Sequence, residues 1–332
     1  MNKKYFNQLS LDKKEEEVEY YKAVNWNEVD IIDKLTWDKL NSQFWLDTRI
    51  PVSNDLDDWR SFTEEERNVV NKAHAGLTIL DTLQSEEGAK KVRENASSQH
   101  EISVLNQIQF MEAVHAKSYS TIFITLNNNQ KINEIFHWAN NNHYLQEKAR
   151  IINEVYQSDN PLKIRVASVF LESFLFYSGF YPALRYLGEN KIPNVAEIIK
   201  LILRDESVHG TYIGAKFMQQ YNELPKDEQE ELENWSYDKL FELYQLEVKY
   251  TKEIYDEIGW TEDVLSFVRY NANKALMNLG LNPLFPETAS DVNPVVMNGI
   301  STTTSNHDFF SQVGNGYLMG EVEPMEDDDY NY

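Results

Sequence analysis

Cysteine is absent from the 332-residue sequence. The chain therefore has no disulfide and no thiolate metal ligand, and any thiol chemistry in its function must come from a partner. Glycine and proline are also scarce, with 12 and 9 residues. Together with 42% hydrophobic residues, this composition is typical of long helices around a sizeable core rather than of loop-rich or disordered chains.

Basic residues are few, with 31 lysines and arginines against 54 acidic residues and a formal net charge of −23. Binding to phosphates needs clustered lysine and arginine, so nucleic acid is not expected as a direct partner. An acidic protein can still bind metal cations. The charge balance therefore leaves metal-dependent functions open and argues against nucleic-acid binding.

Long apolar runs are rare as well. Residues 1–20 contain none, so we expect neither a secretory signal nor a membrane anchor. We therefore expect a cytoplasmic location. One run, residues 166–184, has Glu172 as its single charged residue and is nearly as long as a membrane span. A buried helix of a large bundle explains this run equally well. We therefore expect no membrane association and regard Glu172 as a candidate functional residue.

Capping signals divide the chain into long helices. Thr63 with Glu66 forms a capping box that predicts a helix ending near Gly88, and Ser98 with Glu101 predicts the start of the next. The same signals predict further helices at residues 161–187, 193–221, 227–258 and 261–279. The predicted fold class is an all-α helical bundle over residues 21–281, preceded by an extension at residues 1–20. From residue 282, polar residues, proline and glycine predict a flexible acidic tail to residue 332.

The motif Glu-x-x-His occurs at Glu112/His115, Glu206/His209 and Glu134/His137. Three residues along a helix rotate by about 300°, so both side chains lie on one face and can bind one ion. The motif alone has low specificity, because glutamates and 7 histidines produce about one chance match. We interpret the third copy as chance, since it lies on a short segment between asparagine-rich loops.

The other two copies each follow a helix with a lone acidic residue in an apolar stretch, Asp81 in GLTILDTLQ and Glu172 in SVFLESFLF. Buried carboxylates are costly unless they are paired or bound to metal. Ferritin-like diiron and dimanganese bundles show this order of carboxylate and Glu-x-x-His, here with Asp81 as the first carboxylate. Each residue alone is explained as well by an ion pair or a hydrogen bond in the core. Jointly they predict a dinuclear site that suits iron or manganese rather than structural zinc, with the ligands Asp81, Glu112, His115, Glu172, Glu206 and His209.

Tyr119 lies four residues after His115, so it projects from the ligand face one turn away. Phe176 and Phe180 follow Glu172 by one and two turns, and Ile202 precedes Glu206 by one turn. These three side chains predict an apolar cage, which would protect an oxidised tyrosine from water and reductants. The alternative is that all four residues simply fill the core.

Several segments resemble the small subunit of class I ribonucleotide reductase: FMEAVHAKSYS, VFLESFLFYSGF, IIKLILRDESVHG and QFWLDTRIPVSNDLDDW. AVNWN near the start resembles the compact class Ib form, and the resemblance covers roughly residues 20–332. It implies a ferritin-like fold and a ribonucleoside-diphosphate reductase small subunit that is active only with a large subunit. All six predicted ligands match those of the family, which implies two Mn or two Fe ions per chain, with Tyr119 as the site of a stored radical.

The resemblance also implies a path for the radical to a cysteine of the large subunit. Trp45, Asp205 and Tyr317 match the residues that the family uses for this transfer. It further implies a homodimer, binding of the large subunit through the C-terminal tail, and a flavodoxin-like activating protein.

Three other functions remain open on the residues alone. A dimetal oxygenase or desaturase of the same fold would need an open substrate channel. Iron storage would need a mineralising cage and has no use for a long acidic tail. A plain helical interaction protein would bind no metal. The ligand set does not distinguish iron from manganese, because both accept these donors.

Overall fold

The computed structural model describes residues 23–301, and this part of the chain is helical without any β-strand. The helices are α1 (Ile31–Gln43), α2 (Leu56–Ser61), α3 (Glu64–Leu83), α4 (Ala89–Glu94), α5 (Gln99–Leu126), α6 (Asn129–Asn141), α7 (His143–Tyr156), α8 (Pro161–Phe170), α9 (Tyr177–Gly188), α10 (Pro193–Tyr221), α11 (Lys226–Tyr255), α12 (Thr261–Asn278) and α13 (Pro294–Ser301). The predicted all-α fold class is confirmed.

The predicted starts of the long helices are correct because local capping determines them. At the start of α3, Thr63 Oγ1 accepts from the backbone N–H of Glu66 at 3.2 Å, and the Glu66 carboxylate accepts from the Thr63 N–H at 2.7 Å. Ser98 caps α5 by accepting from the Glu101 N–H at 3.0 Å, whereas the Glu101 carboxylate accepts from the Ser97 N–H at 2.8 Å. Pro161 and Pro193 occupy the first turns of α8 and α10, where the missing N–H costs nothing.

The centre of the bundle is formed by α3, α5, the α8–α9 pair and α10. Helix α3 packs on α5 and α9, and α10 packs on both α8 and α9. The apolar run 166–184 lies in this centre, with Phe170, Phe174 and Leu184 fully buried. Among the described residues, no helix is long and apolar enough to cross a membrane. The run is therefore explained by burial inside the bundle, and these helices are the ones that carry the predicted ligands.

Two π-helical turns interrupt the expected regular helices. The helix predicted over residues 161–187 is divided by a π-helix at Leu171–Leu175. The helix expected to end near Gly88 instead passes through a π-helix at Gln84–Gly88 and continues as α4 to Glu94. Gly88 is a packing residue rather than a stop: a Cβ there would lie 2.0 Å from Gln84 Oε1 and 2.8 Å from the Tyr156 ring. Such π-turns often occur at functional sites.

The chain remains structured beyond the boundary predicted at residue 282. Asn273 Oδ1 accepts from the backbone N–H groups of Leu284 and Phe285 at 3.0 and 2.9 Å. Val292 and Val296 are buried, and α13 packs on α9. Because the segment is mostly polar, the sequence did not indicate that these few apolar residues are buried. The predicted start of the tail at residue 282 is therefore too early. The N-terminal extension at 1–20 and the segment 302–332, which includes Tyr317, lie outside the described residues.

Candidate metal centre

The bundle brings all six predicted ligands together at its centre, each with no exposed surface. Their ligating atoms form two groups, and within each group the atoms lie within 4.8 Å of one another. The first group is Asp81, Glu112, His115 and Glu206, and the second is Glu112, Glu172, Glu206 and His209. Glu112 and Glu206 belong to both groups. The arrangement is thus that of two adjacent ion sites with two shared carboxylates and one histidine each.

Both imidazole rings present Nδ1 to the carboxylates. His115 Nδ1 lies 2.8 Å from Glu206 Oε1 and 3.7 Å from Glu112 Oε2. His209 Nδ1 lies 2.7 Å from Glu112 Oε1 and 3.4 Å from Glu172 Oε2. The i, i+3 spacing puts the carboxylate and the ring of each motif on one helix face. The packing of α5 against α10 then brings each ring closest to the glutamate of the other motif.

In the described part of the chain, no lysine or arginine pairs with the carboxylates of this centre, whose ion pairs involve histidines alone. Both oxygens of Asp81, Glu112 and Glu206 lack hydrogen-bond partners. Burial raises the pKa of Asp81 and of Glu206 well above the usual range. Burial acts in the same direction on Glu112, but the neighbouring imidazoles of His115 and His209 outweigh it and lower the pKa of Glu112 to about 2.

Buried, unpartnered carboxylates are costly unless a cation binds them. The donor set therefore fits two metal cations. Four carboxylates with one imidazole per ion form the oxygen-rich ligation that suits iron and manganese.

Asp205 connects His115 to Trp45. The indole N–H of Trp45 donates to Asp205 Oδ2 at 2.6 Å, and the same oxygen lies 3.2 Å from His115 Nε2. The Arg204 guanidinium lies 3.3 Å from the other oxygen, Oδ1, and also donates to the Gln43 carbonyl at 2.6 Å. A carboxylate on the outer nitrogen of a ligand imidazole fixes the ring orientation and tautomer. Sequence reasoning included Trp45 and Asp205 but missed Arg204, for which the sequence carries no signal.

Gln84 holds the Glu172 carboxylate and was also missed. Its amide nitrogen donates to Glu172 Oε1 and, at 2.8 Å, to Ser168 Oγ. Its amide oxygen accepts from the Tyr156 hydroxyl at 2.7 Å. The two π-helices place Gln84 and Glu172 opposite each other. The position of Gln84, three residues after Asp81 on the same face, was the available signal.

Tyr119 is fully buried, and its hydroxyl has no hydrogen-bond partner. Burial, followed by the negative charge of Asp81, raises the pKa of Tyr119 well above its usual range, so the phenol is protonated at neutral pH. Phe176, Phe180 and Ile202 are completely buried in the same core as Tyr119.

One neighbour of Tyr119 was missed by the sequence reasoning. The ring of His74 lies beside that of Tyr119, with centroids 6.0 Å apart. No motif or spacing rule applied to the sequence had singled out this histidine.

The third Glu-x-x-His copy lies apart from this centre. Glu134 and His137 are exposed on α6. Glu134 accepts a hydrogen bond from Gln130 at 3.0 Å, and neither residue is part of the two ligand groups found among the described residues.

A helical bundle with four carboxylates and two histidines arranged in this way is characteristic of the ferritin-like dimetal-carboxylate proteins. The family model described as "Ribonucleotide reductase, small chain" matches residues 23–294. The chain belongs to this family.

Curated relatives agree with the family model over most of the chain. The chain is 47% identical over 312 residues to the Mycobacterium tuberculosis ribonucleoside-diphosphate reductase subunit beta nrdF2, covering 93% of this chain and 96% of the relative. It is 46% identical to the Escherichia coli ribonucleoside-diphosphate reductase 2 subunit beta, covering 93% and 98% of the two chains.

Among solved structures, the dimanganese(II)-NrdF of Streptococcus sanguinis matches with a TM-score of 0.84 and 63% identity, covering 85% of this chain and all of that chain. These findings confirm the ferritin-like fold, the class Ib resemblance and the function as a ribonucleoside-diphosphate reductase small subunit, which works with a large subunit. They do not favour the oxygenase or desaturase alternative. They also support a dinuclear metal site.

Proposed function

We propose that the metal centre of this small subunit oxidises Tyr119 and that the chain stores the resulting tyrosyl radical for ribonucleotide reduction. The observation that carries the proposal is the setting of Tyr119. Its hydroxyl is buried without a hydrogen-bond partner, and the residue lies one turn from His115. Asp81 is the carboxylate whose charge has the largest effect on the pKa of Tyr119. A protonated phenol with these neighbours is suited to lose an electron and a proton together.

The oxidation removes one electron and one proton from the Tyr119 hydroxyl. When bound, the two metal ions supply a one-electron oxidant after activation by dioxygen or a reduced oxygen species. The chain's own side chains determine where the proton goes and what reaches the ring. Tyr119 begins as the neutral phenol because its pKa is raised, and we propose that its proton is released toward Asp81.

The apolar residues around the site protect the oxidised ring. Phe176, Phe180 and Ile202 have no exposed surface, and the two phenylalanine rings pack with centroids 6.1 Å apart. None of these side chains offers a proton or an electron. Their role in the proposal is to exclude water and small reductants from Tyr119.

We propose two manganese ions per chain as the working metals, with two iron ions as the alternative. The solved relative from Streptococcus sanguinis is described as dimanganese(II), whereas the donor set itself accepts both metals. A flavodoxin-like protein is the proposed source of the activating oxidant. The ligands would be Asp81, Glu112, His115, Glu172, Glu206 and His209, of which Glu112 and Glu206 belong to both ligand groups.

The stored radical must then reach the large subunit. We propose the chain of contacts from His115 through Asp205 to Trp45 as the first part of the path. We propose that Tyr317 relays the radical between the subunits and that the C-terminal segment containing it docks on the large subunit. We also propose that the small subunit acts as a homodimer. Tyr317 lies outside the described residues, so these two roles rest on the family resemblance.

The experiment is electron paramagnetic resonance of metal-loaded, activated protein, with the metal content measured on the same sample. Tyr119→Phe keeps the ring and removes the oxidisable hydroxyl, so two metal ions should bind while the organic radical signal is lost. Tyr255→Phe is the matched control, because it removes another fully buried hydroxyl, one that donates to the Ser178 carbonyl. A tyrosyl signal that persists in Tyr119→Phe would contradict the assignment.

A further inference from the structure

His74 is a buried polar side chain beside Tyr119 that the mechanism above does not use. It lies on α3 two turns before Asp81 and has no exposed surface. Its ring is tilted by 31° to that of Tyr119, with centroids 6.0 Å apart. Neither ring nitrogen has a hydrogen-bond partner. His74 does not belong to either ligand group, so metal binding does not account for it.

Three buried polar atoms on these two adjacent side chains lack partners: both ring nitrogens of His74 and the Tyr119 hydroxyl. Burial lowers the pKa of His74 to about 3, so the ring is neutral and offers one N–H donor and one lone pair. Buried polar atoms are almost always satisfied in folded proteins, because an unmet donor or acceptor is costly. The combination therefore points to a small polar ligand that both side chains share.

A single water molecule fits this requirement. His74 and Tyr119 make no direct hydrogen bond, but two hydrogen bonds of about 2.8 Å each through one water span a gap of about 5 Å. Buried waters typically bind to polar groups that lack other partners. We propose that His74 and Tyr119 together bind one buried water molecule, and that His74 thereby sets the hydrogen bond at the Tyr119 oxygen.

A polar pair of asparagines lies one turn from this position, between α3 and the end of α5. Asn71, one turn before His74, exchanges two hydrogen bonds with Asn127, at 3.1 and 3.0 Å. Both asparagines line a surface pocket of about 300 Å³. Asn71 and His74 lie one turn apart on one face of α3, which makes this face polar, in contrast to the apolar side formed by Phe176 and Phe180.

The inference rests on the proposed radical at Tyr119 and makes His74 a positioning residue. The phenol directs its single proton toward Asp81 and can accept a hydrogen bond from the bound water, and after oxidation the oxygen can only accept. A water held by the imidazole can donate to that oxygen. His74 should therefore leave a spectroscopic signature on the radical itself, independent of turnover.

The test uses the full-length, metal-loaded chain, with high-field electron paramagnetic resonance and electron–nuclear double resonance in H2O and D2O. In the unmodified chain, an exchangeable proton should be coupled to the radical. The low-field g component of this radical should lie below that of a tyrosyl radical without a hydrogen bond. His74→Phe should lose the coupling and raise that g component. His74→Asn retains a donor and should restore the coupling in part.

Phe123→Leu is the packing control, since Phe123 is fully buried on α5 one turn after Tyr119 and offers no polar atom. It should leave the coupling intact. A radical without any exchangeable coupling in the unmodified chain, or a coupling that survives in His74→Phe, overturns the inference. Absence of an organic radical in the activated, unmodified chain removes the proposed function together with it. If His74→Phe fails to fold, His74→Asn decides the question, because a coupling unchanged in that variant also overturns the inference.

Discussion

The indole N–H of Trp45 donates to Asp205 Oδ2 over 2.6 Å, although 160 positions separate the two residues in sequence. The same carboxylate oxygen lies 3.2 Å from His115 Nε2, whose opposite nitrogen faces the ligand carboxylates. Trp45 and His115 are nearly parallel, with ring centroids 6.0 Å apart. Asp205 therefore provides a short, buried connection from one ligand imidazole to a buried tryptophan.

Trp45→Phe should separate radical storage from radical use. The variant loses the indole N–H but keeps an aromatic ring, so metal binding and the Tyr119 radical should persist. Nucleotide reduction in the presence of the large subunit should fall by at least about 10- to 100-fold, the usual cost of removing a partner from a ligand imidazole network. Trp59→Phe changes another buried tryptophan, outside this connection, and should keep most of the activity. Equal losses in both variants would speak against the path.

Metal stoichiometry should depend on the two central motifs and not on the third. Glu112→Ala removes a carboxylate shared by both ligand groups, and His209→Ala removes the imidazole of the second group. Each should abolish the paired site. Glu134→Ala changes an exposed residue on α6 and should leave two ions per chain. Elemental analysis after desalting measures all three variants, and an equal loss in Glu134→Ala would show that the wrong motif pair was chosen.

His74 should make the fold sensitive to acid. The pKa of His74 is about 3 in the folded chain, against an ordinary value of 6.5. Between these values the unfolded chain binds the proton and the folded chain does not, so stability falls as the pH decreases, by at most about 1.4 kcal/mol per pH unit for this one group. Above this window the contribution is fully present.

Urea unfolding of metal-free protein from about pH 7 to about pH 5 checks this expectation. The free energy of unfolding should fall less steeply with decreasing pH in His74→Phe than in the unmodified chain. If the free energy of unfolding has the same pH dependence in both chains, the pKa of His74 is not lowered in the folded chain.

The C-terminal segment should have two separable roles. Residues 326–332 combine acidic side chains with Tyr330 and Tyr332, and aromatic anchors dominate small binding segments. Deleting them should weaken binding to the large subunit by at least about tenfold. Tyr317→Phe should preserve both this affinity and the Tyr119 radical but stop turnover. Undiminished affinity after truncation would remove the docking role, and normal turnover of Tyr317→Phe would remove the relay role.

The helix starts that were predicted correctly depend on capping residues close to them in sequence. The capping box at Thr63 and Glu66 and the prolines at 161 and 193 determine where helices begin, and each acts within a few residues. The predicted ends were less reliable. Gly88 did not stop the helix, because the chain there is constrained by the Tyr156 ring and by Gln84 rather than by its own conformational preference.

The sequence by itself determined the all-α class and the six candidate ligands, because Glu-x-x-His and a lone acidic residue in an apolar helix are patterns of helical periodicity and burial cost. Only the tertiary structure decided which residues support those ligands. Gln84 meets Glu172 across two π-helices, and His74 meets Tyr119 across the seam between α3 and α5. These contacts depend on how separate helices pack. The spacing of residues along one helix does not indicate which side chains a neighbouring helix places against it.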